Sequence, residues 1–175
     1  CVPEKPLCVP WESCLTLGDD FNYAYGDHYK SPRELVNLLV NIVAKGGNMA
    51  LNVSPQPDGR IPVEAWESLR GLGAWMQTYG EAIYGTRICA PYQSGNLAFT
   101  QKDDTVYVIR LYPEEGEAVE EKLLIPYQGK IRGISMVDTK KEAEWKMTEE
   151  GIQVVIPQEY REGETPIAIV WKIEQ

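Results

Sequence analysis

The residues best suited to chemistry lie between Glu4 and His28. Glu4 follows Val2-Pro3, and Glu12 follows directly on Trp11. A carboxyl set against an indole loses hydration, holds its proton more readily and suits a general acid. The plainer reading is that Glu12 pairs with an arginine and Glu4 is simply solvated. Phe21, Tyr23 and Tyr25, interleaved with Asp19, Asp20 and Asn22, are spaced to form an aromatic wall. Other constellations are weaker. Gly46-Gly47 is followed by no Lys-Ser/Thr and ends a helix, so it is no phosphate loop. His28 has no Ser or Cys in a nucleophile setting. Asp58-Gly59 lacks the acidic ladder of a calcium loop. Four cysteines without CxxC spacing, and one histidine, argue against zinc. Cys8 and Cys14 stand close enough to Cys1 in sequence for a disulfide, with free buried thiols as the alternative.

Elements that position these residues are legible in the pattern. Residues 1–31 read as a long loop rich in proline, aromatics and acids, and long irregular segments in compact domains are usually functional. Ser31-Pro32-Arg33-Glu34 reads as a capping box with proline at the first helical position. Leu35, Leu38, Leu39, Ile42 and Val43 then form a helical stripe that ends at Gly46-Gly47. Asn48 to Ser54 reads as a strand, with Met49, Leu51 and Val53 on one face and Ala50 with two asparagines on the other. A second helix runs from about Pro62 to Tyr79, with Ala65, Leu69, Leu72 and Met76 on one side. Helix, strand, loop, helix is the local grammar of a (β/α) layer, in which the loop after the strand faces the active site.

After residue 88 the period changes to two. Strands are expected at 96–101, 104–112, 121–127, 131–137, 142–147, 152–156 and 166–173, with acidic turns such as Glu114-Glu115-Gly116-Glu117 between them. Seven short strands with no helix between them read as an antiparallel β-sandwich. The expected fold is therefore α/β plus all-β, divided as 1–88 and 89–175.

The net charge is −9. Residues 1–88 carry seven Lys/Arg against ten Asp/Glu, and residues 89–175 carry ten against sixteen. No basic patch emerges, which argues against nucleic acid and anionic membrane as partners. No apolar run is long enough to span a bilayer. Ten tyrosines and five tryptophans suit stacking on sugars and, equally, the filling of core and strands. The opening at Cys1, without an initiator Met, reads as a piece of a longer protein.

Several motifs together resemble a known family. They are Pro10-Trp11-Glu12-Ser13-Cys14, Phe21-Asn22-Tyr23, Glu34-Leu35-Val36, Lys45-Gly46-Gly47-Asn48 with Leu51-Asn52-Val53, Asp58-Gly59-Arg60-Ile61-Pro62, and Gly80-Glu81-Ala82-Ile83-Tyr84-Gly85-Thr86-Arg87. In this order and spacing they resemble the C-terminal part of the catalytic domain of family 29 α-L-fucosidases, which usually carry a C-terminal antiparallel β-sandwich. The resemblance implies that residues 1–88 are the last βα units of a (β/α)8-like barrel. It implies a retaining glycoside hydrolase without cofactor or metal, in which an aspartate nucleophile and a general acid/base stand about 5–5.5 Å apart. No segment here matches the surroundings of that nucleophile, so the isolated chain is expected to be inactive. Val2-Pro3-Glu4 looks like the Pro-Glu segment that holds the acid/base in several members, which makes Glu4 the first choice and Glu12 the runner-up. Phe21 takes the position of an aromatic that packs on the apolar side of fucose, beside Trp11 of the Trp-Glu motif. Asp20-Phe21-Asn22-Tyr23 departs from the commoner Ser-Trp-Gly-Tyr.

Partners implied are a fucosylated glycan, the missing N-terminal part of the barrel, and self-association through exposed barrel edges. The implied setting is periplasmic, secreted or lysosomal. A reading from another class is a non-catalytic carbohydrate-binding or structural module, with residues 89–175 gripping glycan through Trp145 or Trp171.

Overall fold

The structure, a computed structural model, describes residues 2–175. Cys1, and with it the disulfide considered above, lies outside the described residues. β1 (Trp11–Thr16), α1 (Pro32–Ala44), β2 (Gly47–Asn52) and α2 (Val63–Tyr79) follow in that order. β1 and β2 pair in parallel, Trp11 opposite Gly47 and Thr16 opposite Asn52, with α1 in the crossover between them. The expectation of loop for residues 11–16 is thus corrected. The backbone of β1 finds its hydrogen-bond partners in β2, and Ser13 is buried, so the segment pays for order in a way its irregular side-chain pattern hides.

The start of α1 is as expected. The Ser31 hydroxyl accepts the Glu34 N–H at 3.2 Å, and the Glu34 carboxylate accepts the Ser31 N–H at 2.8 Å. The Ser31 N–H and the Ser31 hydroxyl, which donates to the same carboxylate at 2.9 Å, hold the Glu34 carboxyl below the usual carboxylate range, the backbone bond being the main cause. The helix buries more than the expected stripe: Val36, Val40 and Ala44 join Leu35, Leu39 and Ile42, whereas Leu38 is half-exposed.

Eight more strands follow: β3 (Arg87–Ser94), β4 (Leu97–Lys102), β5 (Thr105–Leu111), β6 (Lys122–Ile125), β7 (Gly133–Met136), β8 (Trp145–Thr148), β9 (Gly151–Val155) and β10 (Ala168–Glu174). Pairing is antiparallel throughout, in a five-stranded sheet ordered β3-β4-β5-β10-β7 and a three-stranded sheet ordered β6-β9-β8. The seven expected strands are present with shifted ends. β3 was not expected, because Pro91 interrupts its pattern. It is accommodated by a register shift between Ile88 and Gln93, which frees the proline from the ladder. A four-residue helix, α3 (Gln158–Arg161), separates β9 from β10.

Both faces of the five-stranded sheet are covered. Phe99, Val106, Val108, Ile169 and Trp171 point toward the three-stranded sheet, where they meet Ile125, Ile152 and Val154. Ala98, Tyr107, Ile109, Ala168 and Val170, the alternate residues of the same strands, pack on Val36, Leu39 and Val40 of α1 and Trp75 of α2. A strand buried on both sides reads as a near-continuous apolar run, as Val106-Tyr107-Val108-Ile109 does. Arg33 joins the layers from the side: its guanidinium donates to the carbonyls of Tyr112 at 2.5 Å, Thr165 at 2.8 Å and Pro166 at 2.9 Å.

Candidate active site

The parallel pair has two unlike faces. Successive strand residues point to opposite sides, so Trp11, Ser13 and Leu15 share one side with Gly47, Met49 and Leu51. Met49 and Leu51 pack there with the apolar residues of the helices. Glu12, Cys14 and Thr16 share the other side with Asn48, Ala50 and Asn52, and they stand in register as Glu12–Asn48, Cys14–Ala50 and Thr16–Asn52. Glu12, Cys14 and Asn48 are exposed, so this side is a polar face open to solvent.

Lys45 organises the end where β1 begins. It is 6% exposed, donates its ammonium to the Pro3 carbonyl at 2.9 Å, and accepts the Trp11 indole N–H on its own carbonyl at 3.2 Å. Glu4 follows Pro3 in an exposed bend. Gly46 takes φ 79° to end α1. Gly47 is glycine for a different reason: the Trp11 ring lies over it, and a Cβ there would meet the ring at 2.4 Å. Trp11 and Glu12, neighbours in a strand, face opposite sides, so the indole does not shield the carboxyl as their adjacency suggested.

At the other end, residues 17–30 leave β1 and are pinned to β2. The Leu17 N–H donates to the Asn52 carbonyl at 2.9 Å, and the Thr16 hydroxyl to the Asp20 carbonyl at 3.0 Å. The Phe21 carbonyl accepts from Asn52 Nδ2 at 3.0 Å and from the Ser54 hydroxyl at 2.8 Å. Lys30 closes the loop through the Gly18 carbonyl at 2.9 Å, and Asp27 accepts the Asp19 N–H at 3.0 Å. With its backbone held, Phe21 leaves its ring 55% exposed. Tyr25 is almost wholly exposed and Tyr23 half-buried, so the three aromatics do not form one wall.

The structure therefore joins Pro3, Trp11 and Lys45 at one end of the parallel pair and Phe21, Asn52 and Ser54 at the other. The rows Glu12–Asn48 and Thr16–Asn52 are four strand residues, about 13 Å, apart. Thr16, Lys45, Asn48, Asn52 and Ser54 were missed in the sequence. A lysine at a helix C-terminus and asparagines alternating with apolar residues were the signals that pointed to them. Cys8 and Cys14 are free and exposed, which corrects the expectation of buried thiols; Cys89 is free and buried. Among the described residues no group of three or more His, Cys, Asp or Glu is arranged to hold a metal ion. No helix among them is long and apolar enough to cross a membrane.

Residues 1–81 match the family model described as alpha-L-fucosidase. The chain resembles part of a family 29 α-L-fucosidase. The fucosidase-like chain is 31% identical over 160 residues to the alpha-L-fucosidase of Branchiostoma floridae, covering 84% of this chain and 34% of that one. It is 45% identical over 90 residues to the plasma alpha-L-fucosidase of Rattus norvegicus, covering 48% of this chain and 19% of that one. Among solved structures it superposes on the Thermotoga maritima alpha-fucosidase in complex with fucose. The TM-score is 0.82 at 30% identity, covering 98% of this chain and 41% of that one. These matches occupy between a fifth and about two-fifths of the fucosidases' own lengths. The likeness runs through the antiparallel sheets as well as the β1-α1-β2-α2 segment.

Proposed function

We propose that this chain is the C-terminal portion of a retaining α-L-fucosidase, which hydrolyses terminal α-L-fucose from glycans. The observation that carries the proposal is the polar face of β1 and β2, with the exposed Phe21 ring held where the chain leaves β1. In a (β/α)8-like barrel that face turns inward, and the segments leaving the C-terminal ends of the strands build the substrate site. Residues 1–88 are then the last βα units of the barrel, and residues 89–175 a β-sandwich that packs on its helices. The N-terminal part of the barrel is the partner that covers the free edges of β1 and β2, and in its absence those edges favour self-association.

Phe21 supplies an apolar surface for fucose, and Trp11 shapes the entry to β1. Glu4 is proposed as the acid/base, with Glu12, whose side chain lies on the inward face, as the alternative. The aspartate nucleophile belongs to an earlier strand, so the 175-residue chain turns over no fucoside by itself. No cofactor is involved, and the setting is periplasmic, secreted or lysosomal.

The test is the full-length enzyme on an aryl α-L-fucoside, comparing Glu4→Ala with Glu12→Ala and adding azide as an external nucleophile. Loss of activity in Glu4→Ala, restored by azide, is the expected result. Rescue of Glu12→Ala instead moves the role to Glu12. Undiminished activity in both variants removes catalysis from this segment, and turnover by the 175-residue chain alone refutes the missing nucleophile.

A second reading, a non-catalytic carbohydrate-binding or structural module, draws on the separate core that residues 89–173 build between their two sheets. Trp171 is fully buried there and offers no ring to a ligand, and Trp145 packs partly against the same core. Retention on a glycan array by a variant lacking the Phe21 ring would favour this reading.

A further inference from the structure

A groove of about 500 Å³ lies away from the polar face, between α1 and the turn that joins β3 to β4. Leu38, Leu111 and Pro113 give it an apolar side, and Asn41, Gln93 and Asn96 present side-chain amides to it. We propose that this groove is a second binding site, for a neutral sugar ring.

Three observations on the groove agree. The Asn41 carbonyl oxygen, Oδ1, is buried and has no hydrogen-bond partner among the described residues. A buried acceptor left unmatched is costly, and rotation of the Asn41 amide toward the groove lets a ligand hydroxyl relieve that cost by donating to it. The charged residues of the rim are committed elsewhere. The Lys30 ammonium donates to the Gly18 carbonyl at 2.9 Å, and the Glu34 carboxylate accepts from Ser31 at 2.8 Å. Lys30 and Glu34 carry opposite charges, so the rim offers an anion or a cation no net counter-charge, whereas amides both donate to and accept from hydroxyls. Leu38 is half-exposed in an otherwise well-buried helix, and with the exposed Pro113 it offers a surface for the apolar side of a pyranose. A volume of this order falls in the range of small-molecule sites.

The groove shares its ligand class with the catalytic reading but none of the residues that reading sets against substrate, so the two stand or fall separately. The experiment is a titration of the 175-residue chain with methyl α-L-fucopyranoside and, in parallel, methyl β-D-galactopyranoside, followed by amide chemical shifts. The expected result is movement of the Asn41, Gln93 and Asn96 side-chain amides with either sugar. Asn41→Leu weakens that response about tenfold, the equivalent of one lost hydrogen bond. Asn96→Ala, on the exposed turn, weakens it without disturbing the helix, and an unchanged backbone spectrum shows that both variants fold. Shifts confined to Phe21 and its neighbours overturn the groove and leave the fucosidase reading standing. Groove shifts that persist unchanged in both variants overturn it too, as does the absence of any shift up to the solubility of the sugars.

Discussion

The five-stranded sheet and the two-stranded sheet are built from the same alphabet and put to different ends. The larger sheet is covered on both faces, by a second sheet and by α1 and α2, and its central strands carry apolar residues on both sides. The smaller is covered on one face only, and its open side shows Glu12, Cys14 and Asn48, with Asn52 half-buried beside them. Burial on two sides leaves a ligand only the margins of a sheet, and exposure on one side leaves little burial for stability. The first sheet therefore holds the molecule together, and the second displays the groups with chemical potential. The helices belong to both, because α1 packs Val36, Leu39 and Val40 on the large sheet and is the crossover of the small one.

Mutations can break or sharpen that contrast. Trp171→Ala and Ile109→Ala empty opposite sides of the large sheet, at expected costs of about 3–5 and 2–5 kcal/mol. If the helix layer and the sheets form one cooperative unit, urea melts of Ile109→Ala show a single transition by tryptophan fluorescence and by far-UV circular dichroism. Two separated transitions would assign the helix layer its own weaker core. Arg33→Ala removes three bonds to carbonyls on the far side of the interface and is expected to cost about 1–3 kcal/mol. An undiminished melting temperature would mean that the apolar contacts alone couple the layers.

Smaller effects test the small sheet. Gly47→Ala pushes a methyl against the Trp11 ring and should cost about 1–3 kcal/mol while shifting tryptophan emission. Ser31→Ala removes the cap of α1 at an expected cost of about 1 kcal/mol. It also changes the response to acid. Bonds from Ser31 lower the Glu34 pKa in the folded protein, so their contribution is present above the unfolded carboxylate's pKa and is lost as pH falls through the folded value. Melting temperature measured down an acid series should fall less steeply in Ser31→Ala than in the parent. Asn52→Ala is expected to leave stability nearly unchanged yet speed amide exchange between Leu17 and Phe21, because it frees the Phe21 carbonyl from one of two donors.

How much of this was legible in the sequence follows the same contrast. α1 announced itself through Ser31-Pro32-Arg33-Glu34 and its apolar stripe, and the strands of the large sheets through β-branched alternation. Both signals are local. β1 was hidden, because Trp-Glu-Ser-Cys-Leu-Thr has no clean alternation and its order comes from a partner 36 residues away in register. β3 was hidden by Pro91, which a register shift absorbs. In the candidate site the residue types were visible and their grouping was not. Trp11 and Glu12 are adjacent in sequence yet face apart, a consequence of strand geometry that could not be applied while the segment was read as loop. Lys45 offered its place at a helix end and in the Lys-Gly-Gly-Asn motif, and neither showed that it ties Pro3 to Trp11.

The order of the large sheet bears on how the protein is made. β10, residues 168–174, lies between β5 and β7, and it supplies Ile169, Trp171 and Ile173 to one core and Ala168 and Val170 to the other. During synthesis β3, β4 and β5 emerge well before it, and β5 waits with one edge unpaired. Neither core can close on the nascent chain until residue 174 has cleared the ribosome. A nonsense mutation before residue 168 would therefore release a product whose unsatisfied strand edges invite pairing with other chains.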